Sequence, residues 1–387
     1  MKALPRDSDL QVVGIIQEQH PDRCRLFMQW KEMDFPILVD SLNLLGVAAV
    51  PITVGIDAHG IVRRLMRRPT ELASFLGEDY PAPRDEAPRP ARLDPDVALA
   101  HAREADTAEA WHAAARAVFL WGGDRRLDEA CRSFEKAAQL SEDPVYLFQL
   151  GVALRRKWES EQREPGDFQA AIAAWQAALD TRPSQYIWRR RIQQYGPRLK
   201  KPYPFYDWVR QARLDLRARG EDPALLRVEP RGTELAEPAE TFESAAEVKN
   251  PDPDRKIDRD VDLLARIEAT VVPRRVAPGS TARVHLTLRV GEEVPAHWNN
   301  EIDELLVWIE PPDGVQVSDR RLTWPNPKEP ESDEIRELEL EIQVPKKAGR
   351  YSLEGYALYA VCRDDDGTCL YRRQEFTVSI EVSETDF

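Results

Sequence analysis

No stretch of the chain approaches the roughly 20 consecutive apolar residues that a membrane-spanning helix needs. The opening residues Met1 to Gln11 are polar, without the apolar core of a secretion signal. The sequence as it stands is therefore expected in the cytoplasm, with no membrane association. Cysteine is scarce, at four in 387 residues, which is too few for a disulfide scaffold. No His or Cys spacing suits zinc, and His20, His59 and His297 read as isolated, so neither a metal nor another cofactor is expected. A phosphate-cradling glycine loop and a nucleophile elbow are also missing, which sets aside nucleotide enzymes and serine hydrolases. An excess of positive charge is lacking too: 68 acidic against 54 basic residues give a net charge of -14, with both signs mixed along the chain. Such a surface repels a phosphate backbone, so nucleic acid is not an expected partner.

What is present is long enough for two or three domains, each with its own core. In residues 1–80, Leu10 to Gln17 is β-rich, Arg23 to Met33 reads as a helix, and Pro36 to Val39 as a short apolar strand. Asp40 to Leu45 suits a helical turn or short helix opened by Asp40 and Ser41. Val50 to Asp57 and Ile61 to Leu65 are two β-rich runs joined by a turn at Asp57-Ala58-His59-Gly60, a hairpin pattern, and Thr70 to Leu76 closes the segment as a helix. This order, with Val50-Pro51 just ahead of the hairpin, resembles the second half of the thioredoxin fold in its redoxin branch. The resemblance implies a cis peptide bond at Pro51, the position that in that family lies beside the active-site dithiol. The family places a strand and a Cys-x-x-Cys helix ahead of the part that begins here at Leu10, and nine residues cannot hold both. The segment is therefore expected to be a partial thioredoxin-like unit, begun late or stripped of its own active site. Cys24 stands on the later helix without a Cys-x-x-Cys partner and is read as structural or incidental.

Residues 81–96 are dense in proline and charge and read as an extended linker. Residues 97–220 are rich in alanine, leucine and charged residues at helical spacing. Within them Ala171-x3-Trp175-x2-Ala178-x4-Pro183, preceded by Leu150-Gly151 and by a weaker copy at Ala130-x3-Phe134-x2-Ala137, resembles the tetratricopeptide repeat. Small residues let two helices approach while the aromatic fills the gap beside them. About two irregular repeats are expected, with a general helical-hairpin array as the alternative; the resemblance implies a docking surface for a protein partner. Tyr186 to Tyr195 and Lys201 to Trp208 mix arginine or lysine with aromatics. They read as a cap on the open end of the array, with an anion or peptide site as the alternative.

Residues 221–260, rich in Pro, Glu and Asp, read as a poorly ordered tether. Residues 261–387 carry short alternating runs separated by turn signals such as Pro278-Gly279 and Asp366-Gly367, the pattern of an all-β sandwich. The overall class is thus multidomain: a partial α/β segment, an all-α repeat segment and an all-β immunoglobulin-like sandwich. In the last hairpin, Tyr356 to Val361 leads into Cys362 and returns through Cys369, so the two thiols can face one another across adjoining strands, close to disulfide reach. Tyr359-x2-Cys362-x6-Cys369-x-Tyr371, with Ala296-His297-Trp298-Asn299-Asn300-Glu301 and the Pro311-Pro312-Asp313-Gly314 turn, resembles the N-terminal immunoglobulin-like domain of DsbD-type thiol:disulfide interchange proteins. That resemblance implies that Cys362 and Cys369 carry electrons by disulfide exchange behind an aromatic shield, for which Trp298 is the candidate. The spacing is one residue longer than the family's. Arg363 favours a thiolate at Cys362 and Asp364 to Asp366 oppose it. The residues alone leave open a stapling disulfide or an idle reduced pair. Two functions follow: thiol-disulfide exchange with a redox partner docked on the helices, or a non-enzymatic interaction scaffold with structural end domains.

Overall fold

Short β-branched runs shape the first segment. The structure, a computed structural model, describes residues 10–66, 68, 70–82, 92–197, 208–227 and 248–384. Lys201 to Asp207 and most of both proline-rich stretches lie outside the described residues. Gly14–Ile16 (β1) pairs in parallel with Ile37–Val39 (β2) across the helix Asp22–Lys31 (α1). Thr53–Ile56 (β3) and Val62–Met66 (β4) form an antiparallel hairpin, and Glu71–Leu76 (α2) buries Phe75 against it. The element order follows the sequence, but the strands form two separate two-stranded sheets. A pair of strands cannot cover both its faces, and Ile15, Leu38, Ile52, Val54 and Leu65 are exposed. Asp40 to Leu45 is a turn and not a helix. The Asp40 carboxylate accepts from Leu44 N at 2.7 Å and Leu45 N at 3.2 Å, and Asn43 takes a positive φ of 53° that stops helical continuation.

The middle of the chain is a series of helices whose starts are written in the sequence: Pro95–Ala105 (α3), Ala108–Trp121 (α4), Leu127–Leu140 (α5), Pro144–Trp158 (α6), Asp167–Thr181 (α7), Tyr186–Gln193 (α8) and Trp208–Ala218 (α9). Asp94, Thr107 and Asp143 each accept a hydrogen bond from a backbone N–H of the first turn, and Pro95 and Pro144 occupy first-turn positions where no N–H is needed. Pro95 therefore opens a helix, which trims the linker read as ending at residue 96. Helices α3 to α7 pack on their sequence neighbours. Trp175 is fully buried and donates from Nε1 to Phe148 O at 3.1 Å. A Cβ on Gly151 would stand 2.5 Å from the Trp175 ring, so only glycine permits this approach of α6 and α7. Trp188 of α8 stacks on Phe148 at 5.1 Å. Arg191, also on α8, is buried and donates to Gln19 Oε1 at 2.6 Å and to the carbonyls of Gln17 and Ser41. Within the described part of the aromatic and arginine stretch, the side chains fasten the first segment to the helical array. Leu26 of α1 meets Val209, Ala212 and Leu216 of α9, and Trp30 donates to Asp215 at 2.8 Å.

Alternating residues build the sandwich. Its strands are Ala265–Val272 (β5), Arg275–Val276 (β6), Thr281–Val290 (β7), Ala296–Asn299 (β8), Leu305–Glu310 (β9), Gln316–Val317 (β10), Arg321–Trp324 (β11), Glu331–Ser332 (β12), Arg336–Gln343 (β13), Gly349–Arg363 (β14) and Cys369–Val382 (β15). One sheet has the order β10-β13-β7-β5; the other runs β11-β9-β14-β15-β6, with β8 on β14 and β12 on β8. Val284, Leu286 and Leu288 on one side of β7 and Leu353, Ala357, Tyr359 and Val361 on one side of β14 fill the core between the sheets. The other side of β7 is also buried. There His285 meets Tyr195 O at 2.7 Å, and Arg289 lies 4.7 Å from the Trp158 ring. The helical array thus covers the outer face of the smaller sheet.

Residues 248–260 correct the reading of a tether running to 260. Val248 and Ile257 pack on Trp308 and Tyr356 of the larger sheet. Asp252 and Arg373 form a buried ion pair at 2.8 Å, and Asp260 accepts from Tyr359 Oη at 2.6 Å and from Leu264 N and Ala265 N. The acidic residues that suggested solvation are hydrogen-bond acceptors for buried donors.

A polar cluster lies among all three segments. Arg155 of α6 is buried with its guanidinium 4.2 Å from the Trp158 ring and 4.5 Å from Phe168, and pairs with Glu159 at 2.8 Å. His20 Nε2 lies 3.1 Å from Glu159 Oε1 and 3.3 Å from Tyr195 Oη. Glu159 already answers Arg155, so its nearness does not hold a charge on the imidazole. Burial, with Arg155 and Arg191 close by, lowers the His20 pKa to about 2 from 6.5. The ring is neutral in the fold, whereas the unfolded chain takes up its proton near pH 6.5. Stability from this group is complete above pH 6.5 and falls with pH toward 2, at about 1.4 kcal/mol per pH unit. In urea unfolding, the free-energy gap between the natural chain and His20→Gln is expected to shrink by about 2 kcal/mol from pH 7 to pH 5. A gap independent of pH would show that His20 is not held neutral.

Candidate functional site

The long strands β14 and β15 pair in register from Gly349 opposite Val382 to Cys362 opposite Cys369. The connection between them turns at Asp366-Gly367, with Gly367 at a positive φ of 67° that glycine adopts without cost. Arg363 N donates to Thr368 O at 3.0 Å, Gly367 N to Arg363 O at 3.1 Å, and Thr368 N to Asp366 Oδ1 at 2.9 Å. The Thr368 N–H holds the Asp366 carboxyl below the usual carboxylate range. This local network fixes the two cysteines opposite one another, with Cα atoms 3.9 Å apart and a disulfide between them. Cys362 is only 3 % exposed, whereas Cys369 is exposed at the tip of the hairpin. The two ends of the bridge thus differ in exposure.

The surrounding charges are mostly engaged. Arg363 pairs with Asp262, and Asp364 lies 2.6 Å from His297 Nδ1. The opposing effects assigned to Arg363 and Asp364 from sequence are thus directed to partners other than the sulfurs. His297 is brought to the site by strand β8, which pairs with β14 so that His297 stands opposite Cys362 and Trp298 opposite Val361. Side chains of directly opposed residues share a face of the sheet. Cys369, Cys362 and His297 therefore share the outer face, and Trp298 points into the inter-sheet core, fully buried and 5.7 Å from Tyr359. Trp298 does not shield the cysteines. His297 reads as isolated in the sequence, where the Ala296 to Asn299 run is not recognised as a strand.

The other sequence candidates lie elsewhere. The Val50–Pro51 bond is cis, as is Val272–Pro273, but Pro51 belongs to the first segment while the disulfide is in the sandwich. Cys24 is partly buried, and burial together with Glu18 raises its thiol pKa; burial pushes the Cys131 thiol up to about 12. Neither is poised as a nucleophile. Among the described residues, no three His, Cys, Asp or Glu side chains gather as a metal set, and no helix is long and apolar enough to cross a membrane.

No family model matches the sequence, and no curated protein matches it. Among solved structures, the chain is similar to the GAE domain of yeast GGA1 at 15% identity and a TM-score of 0.20, over 32% of this chain and 95% of that one. It is similar to a PapD-like domain of human CEP192 at 12% identity and a TM-score of 0.18, over 38% of this chain and 100% of that one. The GAE domain of Saccharomyces cerevisiae GGA2p is similar at 16% identity and a TM-score of 0.19, over 30% of this chain and 90% of that one.

Proposed function

We propose that this chain carries electrons by thiol-disulfide exchange at Cys362 and Cys369, with a protein partner docking on the helical array. The observation that supports it best is the asymmetry of the disulfide: it joins opposed residues at a hairpin tip, Cys369 an exposed residue and Cys362 a buried one. Exchange requires in-line approach of a thiolate to a sulfur, and only an accessible disulfide allows it at a useful rate. A staple needs no exposed sulfur. The helical array offers Leu120 and Trp121, both exposed at the end of α4, to a partner. The first segment is then a degenerate thioredoxin-like unit that packs on the helices through Arg191 and Leu26.

The asymmetry is testable with single-serine chains. In Cys362→Ser the remaining Cys369 thiol is expected to react with a maleimide at close to the rate of a free thiol. In Cys369→Ser the remaining Cys362 thiol is expected to react at least tenfold more slowly under native conditions, and equally fast in denaturant. Equal native rates would remove the observation on which the proposal rests.

A further inference from the structure

Cys362 is flanked on both sides of its strand, by Cys369 on β15 and by His297 on β8, all three on one face of the sheet. Opposed Cβ atoms in such pairs lie about 4.5–5.5 Å apart, within reach of an imidazole. The contact of His297 Nδ1 with Asp364 Oδ1 at 2.6 Å places the ring proton on Nδ1 and fixes the ring's orientation. Nε2 is the nitrogen left over. It is shielded from water and makes no hydrogen bond in the fold. The charged groups around the ring are Asp364 from the hairpin turn, Glu331 of β12 at 3.7 Å from Nε2 with its side chain largely exposed, and Arg363 of β14, which is committed to Asp262. A sulfur beside an imidazole that is itself oriented by a carboxylate is the arrangement that activates or stabilises a thiolate.

We infer that His297, positioned by Asp364, stabilises Cys362 as the thiolate released when the disulfide opens. The inference rests on the exchange function proposed above. It fixes the order of events. A partner thiolate attacks Sγ of exposed Cys369, forming a partner–Cys369 disulfide. The Cys362–Cys369 bond breaks, and its electron pair leaves on Sγ of Cys362. That thiolate is stabilised beside His297, which takes a proton from water at Nε2 while its Nδ1 proton stays toward Asp364. A second thiolate of the same partner then attacks the partner sulfur of the mixed disulfide and releases Cys369, which takes a proton from water. The partner dithiol ends as a disulfide, and the pair ends reduced, with Cys369 as the thiol and Cys362 as the thiolate paired with His297, two electrons having moved.

The test uses the full chain, with dithiothreitol as the reductant and glutathione buffers for the equilibrium. His297→Asn is expected to slow opening of the disulfide by about tenfold at pH 7. It also favours the disulfide at equilibrium by about tenfold, which is ~30 mV in potential, because the reduced form loses its stabilised thiolate. Asp364→Asn, at a half-exposed turn position outside the strands, moves both quantities in the same direction by about threefold and decides the matter if His297→Asn fails to fold. A rate and an equilibrium unchanged in Asp364→Asn, and in His297→Asn where it folds, overturn the role of the histidine while leaving exchange intact. A natural chain whose disulfide does not exchange at all overturns the underlying function instead.

Discussion

With Cys362 and Cys369 both replaced by serine, electron transfer to and from glutathione or a dithiol partner is expected to disappear entirely, while the fold persists. The loss is complete because no other thiol can take over. Cys131 is buried with its thiol pushed up to about 12, and burial and Glu18 raise the Cys24 thiol. Persistence follows from the strands: β14 and β15 are paired over their whole length, so the hairpin does not depend on its end link. The sequence separation of the bridge is only seven, so the loop it closes in the unfolded chain is short, and its removal costs about 2 kcal/mol. A glutathione exchange assay with circular dichroism and thermal unfolding reads both consequences. Exchange that survives in the double variant excludes Cys362 and Cys369 as the carriers. Loss of fold would instead make the bridge a staple.

The second large effect is on stability. Arg155→Leu keeps much of the side-chain volume against Trp158 and Phe168 but leaves Glu159 buried without its closest cation. Breaking one side of a buried pair costs about 3–5 kcal/mol, since the charge left behind is not rehydrated. Tyr195, whose ring lies 5.1 Å from the Arg155 guanidinium, accepts from His285 of the sandwich through its carbonyl, and its hydroxyl meets His20 of the first segment. The disturbance therefore reaches all three segments. Urea unfolding followed by tryptophan fluorescence and circular dichroism is expected to show both signals shifting together to lower denaturant. A shift below 1 kcal/mol would mean that Glu159 finds water or Arg227 instead, and that the cluster does not couple the segments.

What the sequence made legible was local. Asp94, Thr107 and Asp143 announce helix starts because a cap acts within three residues. Gly151 and Trp175 match because a glycine next to a large ring has one physical use in helix packing. The cysteine pair was legible because two thiols flank a single turn and the alternation of their strands sets their face. Residues 248–260 misled because composition alone cannot tell a solvated aspartate from one that accepts from Tyr359 or pairs with Arg373. At Asp40 to Leu45 the residues left a helical turn or a short helix open: a capping residue also closes turns, and the left-handed Asn43 decided for the turn. His297 escaped because its place beside Cys362 is set by pairing between β8 and β14, which are distant in sequence. Nothing in either strand alone specifies that register.

The most direct test of electron carriage is the equilibrium of the pair itself. The full chain is held in glutathione buffers of graded potential, its thiols are alkylated, and the Cys362–Cys369 peptide is weighed. Exchange at this site predicts a two-electron transition with a midpoint between about −200 and −320 mV, in the span of cellular glutathione. A pair that stays fully oxidised, or fully reduced, across that whole span would contradict it.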